Sequence, residues 1–210
     1  MKKLVIAATQ AEVAGVFEYF KLDNINFQQT DQFDMLISGV GMTATAFALG
    51  KHLSEPHSLV INLGIAGTFT HRIPLSSLVN VVTDRFAELG AEDRDNFISI
   101  DELGFGKSLY SNRFPYQTVL VDQLTAAHGI TVNKVHGNKD SIAQIRQRFD
   151  PDVESMEGAA VFYACEQHSI PCLQIRAISN LVEERNKATW QIVPAIRELN
   201  EWAIRFLTQP

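Results

Sequence analysis

The segment Val153-Glu154-Ser155-Met156-Glu157-Gly158 sets two carboxylates around a methionine, immediately ahead of the small residues Ala159 and Ala160. Carboxylates accept hydrogen bonds from paired hydroxyls and take protons from water, so this cluster is a candidate for ligand binding or acid–base work. A plainer reading is electrostatic: an acid in a first helical turn is favoured by the helix dipole, with Ser155 as the cap. Glu12 also has two readings. It stands at the exit of the first apolar run, and Thr9-Gln10-Ala11-Glu12 is a T-x-x-E capping box, whose side chains satisfy exposed backbone donors at a helix start. Arg176 lies inside the largely apolar Cys172–Ser179 stretch. A buried guanidinium needs a carboxylate or a ligand to offset its desolvation, and either a structural ion pair or a binding site meets that need.

Elements that could hold these groups are legible as alternating patterns. Apolar, often β-branched runs at 4–8, 35–40, 59–63, 78–82, 118–121, 130–135 and 172–178 predict strands buried on both faces. Helical periodicity falls at 12–20, 43–53, 140–149, 155–167 and from about 188 to 207. Strand alternating with helix predicts an α/β fold: three layers, α/β/α, around a mixed, largely parallel central sheet, with residues 1–210 as one domain. Residues 85–117 show no clear period and scatter Phe97, Phe105, Tyr110, Phe114 and Tyr116 among polar residues. Such a segment is either functional, as a lid or interface, or an ordinary surface excursion.

With 210 residues, 46% of them hydrophobic, the chain is long enough for a well-buried core. A formal net charge of -6 and the absence of a Lys/Arg cluster argue against nucleic acid as a partner. The first apolar run is too short for a signal peptide, and no stretch reaches the length of a membrane span, so no membrane partner and a cytoplasmic location are expected. Cys165 and Cys172 are in no CxxC and the six histidines show no ligand spacing, so no metal is expected and both cysteines read as buried hydrophobes.

Ligands of parallel sheets bind beyond the carboxyl ends of strands, which selects ATQAE, SGVGMTA, NLGIAGT, VHGN and RAISN. Gly39-Val40-Gly41-Met42-Thr43-Ala44 formally matches the dinucleotide fingerprint G-x-G-x-x-A. The acidic ribose partner that belongs near the end of the next strand is missing, since Asn62 and Leu63 stand there, and close helix–strand packing explains the small residues better. No cofactor is expected.

Taken together, ATQAE, GVGMTATAFALG, INLGIAGTF, VESMEGAA and RAISN resemble the purine nucleoside phosphorylase and nucleosidase superfamily, in order and spacing over most of the chain. The resemblance implies that Met156 and Glu157 lie against a ribose, with the Glu157 carboxylate accepting from the 2',3'-diol, and that Ser155, Ile65, Ala66 and Gly67 adjoin the substrate. Phosphorylases of this superfamily place an Arg and a Ser where this chain has Asn62 and Ile65, which cannot hold a phosphate dianion. Glu12 and Arg176 match the positions that hold the attacking water in methylthioadenosine/S-adenosylhomocysteine nucleosidases, so the resemblance favours a nucleosidase that hydrolyses an N-glycosidic bond.

Two departures narrow the substrate. Asn180 replaces an Asp that contacts N7 of adenine, and an amide is compatible with a 6-oxopurine; Ser155 and Ile65 replace a Glu and a Ser. With these substitutions, INLGIAGTF, DRFAELGAED and TVNKVHGN look most like the futalosine hydrolases. That family, on the menaquinone route from chorismate, releases hypoxanthine from a nucleoside whose sugar carries a carboxyphenyl ketone. Glu12, Arg176 and Asn180 are then the expected catalytic residues, and a homodimer or higher homo-oligomer is the implied assembly. Arg72, Arg85 and Arg113 are candidates for the substrate's carboxylate or plain surface charges, and His136 is a candidate neighbour of the base.

Overall fold

The computed structural model describes residues 2–53, 57–94 and 96–209. In chain order its elements are β1 (Lys2–Ala7), a 3-10 turn (Gln10–Val13), α1 (Ala14–Phe20), β2 (Phe27–Gln29), β3 (Phe33–Ile37), α2 (Met42–His52), β4 (His57–Thr68), β5 (Leu78–Phe86), β6 (Gly90–Asp93) and β7 (Asn96–Ser99). They continue with β8 (Leu109–Ser111), α3 (Val119–Asp122), β9 (Thr125–Thr131), α4 (Lys139–Phe149), β10 (Val153–Ser155), α5 (Gly158–Gln167), β11 (Cys172–Leu181), a 3-10 turn (Lys187–Thr189) and α6 (Ile192–Thr208).

The main sheet runs β10-β9-β5-β11-β4-β1-β3-β2, with β8 added to β5. It is mixed: β1 pairs in parallel with β3 and β4, and β4 with β11, while β11–β5 and β2–β3 are antiparallel. β10 pairs with β9 and also with β4, so β4, β11, β5, β9 and β10 close on themselves as a ring. Side-chain alternation builds the layers. Val5 and Ala7 face α1 and α6, joining Val16, Phe17, Leu199 and Trp202. Leu4 and Ile6 face the other way, joining Leu49 of α2 and Val161, Phe162 and Cys165 of α5. The expected α/β architecture with helices on both faces is present.

Several expected boundaries moved. The run at 118–121 is α3, not a strand: Thr118 is its N-cap, its Oγ1 accepting from the Val121 N–H at 3.3 Å, and a local side-chain cap outcompetes strand pairing for so short a run. The strand expected at 130–135 is the earlier β9, and Val135 lies beyond it, on the cavity described below. The C-terminal helix starts at Ile192 rather than about 188, because Trp190 is extended and the Gln191 N–H is drawn to Ser179 O at 2.7 Å. Within 85–117, β6 and β7 form a hairpin and β8 extends the sheet, with Tyr110 buried against α5, so part of that segment is regular. Cys165 and Cys172 are both buried, as expected of small hydrophobes.

Candidate active site

At the carboxyl ends of β1, β4, β9 and β11 lies a cavity of about 420 Å³. Thr9 and Glu12 reach it after β1, Ile65, Ala66 and Gly67 from β4, Val135 and His136 after β9, and Glu154 to Glu157 from the β10–α5 junction. Ser179, Asn180 and Leu181 come from β11, and Trp190, Ile192 and Ile196 from the chain that follows.

Glu12 is both a cap and a cavity residue. Its Oε2 accepts from the Thr9 N–H at 3.0 Å and from Thr9 Oγ1 at 2.8 Å, while Oε1 accepts from the Ile65 N–H at 3.1 Å. The capping box orients the carboxylate, and the β4 backbone holds it against the cavity. The two readings of Glu12 are therefore compatible.

Arg176 is 1% exposed and does not line the cavity; its nearest carboxylate oxygen is Glu157 Oε2, at 3.9 Å. It sits opposite Gly64 in the β11–β4 register. A Cβ on Gly64 would overlap the guanidinium and lie 3.0 Å from Glu12 Oε1, so only glycine lets these two groups converge here. No ion pair joins them, and Arg176 pairs instead with Glu157. Among the described residues, Nε and Nη2 of Arg176 have no hydrogen-bond partner.

Glu157 begins α5 as its N-cap residue without capping through its side chain. Its Oε1 instead accepts from the Gly41 N–H at 3.0 Å. Gly41 has φ +94, a conformation that side chains disfavour, and it starts α2. The donor of the glycine turn is thus spent on a carboxylate, which is how the apparent dinucleotide fingerprint is used. Ser155 belongs to β10, and the helix starts three residues later than expected; its Oγ accepts from the Gly158 N–H at a long 3.4 Å. Pairing with β9 keeps Glu154 and Ser155 extended. Glu154, unassigned from sequence, holds His136: its Oε1 accepts the His136 N–H at 3.0 Å and its Oε2 lies 2.7 Å from Nδ1. Its spacing from Glu157 and the VHGN strand exit were the available signals, but nothing local joined them.

Asn180 is aimed into the cavity by a bulge between Ile178 and Asn180, where β11 runs past Ala66 and Gly67. Ser179 Oγ donates to Asn180 Oδ1 at 2.8 Å, and Asn180 Nδ2 donates to Leu181 O at 2.8 Å. An amide nitrogen has two hydrogens, so one remains for a ligand.

Behind this wall is a buried polar chain that sequence reasoning missed. Asp84 Oδ2 accepts from Gln174 Nε2 and Oδ1 from Thr131 Oγ1, each at 2.8 Å. Thr131 Oγ1 also accepts from the Ala159 N–H at 2.7 Å, and Asn62 Nδ2 donates to Gln174 Oε1 at 3.2 Å. Burial pushes the Asp84 carboxyl up to about 6, against the opposing pull of those donors and of the Arg176 charge. Asn62 is consumed in this chain.

Glu12, Ser155, Met156, Glu157, Ile65, Ala66, Gly67 and Asn180 all border the cavity, with Arg176 buried behind it. The other expected arginines do not border it: Arg72 pairs with Asp152 at 3.7 Å, Arg85 with Asp101 at 3.6 Å and Arg113 with Glu166 at 3.0 Å. Among the described residues no helix is long and apolar enough to cross a membrane.

The chain is 33% identical to the futalosine hydrolase of Streptomyces coelicolor over 180 residues, covering 81% of this chain and 77% of that protein. It is 32% identical to the futalosine hydrolase of Acidothermus cellulolyticus, covering 95% and 87% respectively. In fold it is similar to the 5'-methylthioadenosine/S-adenosylhomocysteine nucleosidase of S. pneumoniae solved with a transition-state inhibitor, with a TM-score of 0.77 at 20% identity over 99% of this chain and 98% of that one. A family model described as the phosphorylase superfamily matches residues 35–207, from β3 through nearly all of α6, and the chain therefore belongs to that superfamily.

Proposed function

We propose that this chain is a futalosine hydrolase: a nucleosidase, with residues 1–210 as one domain, that uses water to split futalosine into hypoxanthine and dehypoxanthine futalosine. The observation that carries the reading is a glutamate, Glu12, fixed at the cavity by Thr9 and by the Ile65 N–H. A carboxylate at that point suits deprotonation of water and opposes a phosphate dianion. The relatives named above supply the substrate.

Breaking a glycosidic C–N bond builds positive charge on the sugar and negative charge on the departing base. In this reading Glu157 accepts from the ribose diol, and its charge favours the cationic sugar. Met156 packs against the ribose, and Ala66 and Gly67 let backbone approach the base. Asn180, its oxygen engaged by Ser179, turns an N–H toward the purine and eases its departure. Arg176 supports Glu157 from behind through their 3.9 Å pair. Glu12 takes the proton from water attacking the anomeric carbon. The enzyme acts in the cytoplasm, on the menaquinone route, as a homodimer or higher homo-oligomer and without a cofactor.

The test is chromatographic detection of free base after incubation with futalosine, aminofutalosine, methylthioadenosine and inosine, with and without phosphate. Hypoxanthine released from futalosine at a rate indifferent to phosphate is the expected result. Phosphate-dependent release would overturn hydrolysis, and faster release of adenine from methylthioadenosine would move the substrate to the adenine nucleosides.

A further inference from the structure

The cavity is rich in acid. Glu12, Glu154, Glu157 and Glu183 all border it, and the only Lys or Arg among the described residues that does so is Arg185. His136 is already engaged by Glu154. A ligand with an anionic end is repelled by such walls unless that end meets a cation.

Arg185 is built to be that cation. Its guanidinium lies over the Trp190 ring, 5.1 Å from the centroid, and no carboxylate among the described residues pairs with it. A guanidinium held over an indole by cation–π attraction keeps its N–H donors for a planar anion, which it can grip with two parallel hydrogen bonds. A long backbone hydrogen bond ties this exposed residue to the cavity wall: the Arg185 N–H donates to Gly137 O at 3.4 Å, next to His136. Trp190 and Ile192 add an apolar, partly aromatic surface beside it. A cation next to such a surface suits a carboxylate carried on an aromatic ring.

We infer that Arg185, held over the Trp190 ring, forms the subsite for the aryl carboxylate of the substrate, an assignment that rests on the futalosine reading. It sets specificity and takes no part in bond breaking. Nucleosides with the same base but no acid would gain nothing from it.

The experiment compares futalosine with its methyl ester, which keeps the base, the ring and the scissile bond and removes only the charge. Wild-type protein should prefer the acid by about tenfold in kcat/KM, carried by KM, as expected of a charge-assisted pair at a partly open site. In Arg185→Gln that ratio should fall toward one through loss on the acid, and Arg185→Lys should restore part of it, because a point charge lacks the planar fork. An unchanged ratio in Arg185→Gln, or equal losses on acid and ester, would overturn the subsite. Wild-type protein that cleaves neither compound would instead overturn the substrate reading beneath it.

Discussion

Glu12 and Glu157 at the cavity and Asp84 behind them are all buried carboxylates, but they are partnered differently. Glu12 and Glu157 are held chiefly by backbone N–H groups, from Thr9, Ile65 and Gly41, and border open space. Asp84 is enclosed, with each oxygen taken by a side chain, Gln174 or Thr131. A carboxylate fixed by backbone keeps its position while its remaining lone pairs face a ligand, whereas one saturated by side chains ties strands together. Asp84 spans β5, β9 and β11, and through Thr131 the start of α5. Burial alone therefore does not mark a candidate site acid; the direction of the unfilled valence does.

Substitutions should divide along the same line. Glu12→Gln should lower kcat by about a thousandfold, within the usual range for a general base, with KM nearly kept and a modest loss of thermal stability, because the amide oxygen serves the cap while its NH2 faces the Ile65 N–H that the carboxylate accepted. Near wild-type turnover would reduce Glu12 to a cap and erase the contrast.

Asp84 should instead appear in stability against pH. Its folded-state value, about 6, lies above that of an unfolded aspartate, so the folded protein binds the extra proton between those values. This contribution is fully present at low pH and is lost as pH rises from about 4 through 6, by at most about 3 kcal/mol. Urea unfolding of wild type and Asp84→Asn across that interval checks it, and identical slopes for the two proteins would contradict the assignment. Asn180→Asp should shift the futalosine-to-aminofutalosine ratio of kcat/KM by about tenfold toward the 6-amino compound, since an ionised acid repels a 6-oxo group. Equal ratios in the two proteins would remove Asn180 from base recognition. The smallest effect is expected for Thr9→Val, with a loss of about 1 kcal/mol in thermal unfolding and a fall in kcat well short of that for Glu12→Gln. A kcat loss matching Glu12→Gln would mean that the hydroxyl does more than hold the carboxylate.

Much of this molecule is written locally. The alternation in Leu4-Val5-Ile6-Ala7 sends successive residues to opposite helix layers, and Thr9 with Glu12 forms its capping box within one turn. Glu12 follows from where the first apolar run stops, whereas β4 and β11 continue past their apolar runs to Thr68 and Leu181 and carry Ala66 and Asn180 within them. Other runs misled: Thr118 caps a helix that its β-branched neighbours disguised, and Glu154-Ser155 is held extended by β9, a partner distant in sequence.

By itself, then, the sequence determined the α/β layering, the glutamate at the end of the first strand and the residue types surrounding a nucleoside-sized space. Tertiary structure alone decided that Gly41 binds Glu157 from 116 residues away, that Arg176 settles beside Glu157 over Gly64, and that Asp84 is enclosed. It also set Arg185 on the cavity wall and left Arg72, Arg85 and Arg113 away from it. The physical reason is that caps and periodicity are satisfied by neighbours along the chain. A buried charge is satisfied by whatever the returning chain brings beside it.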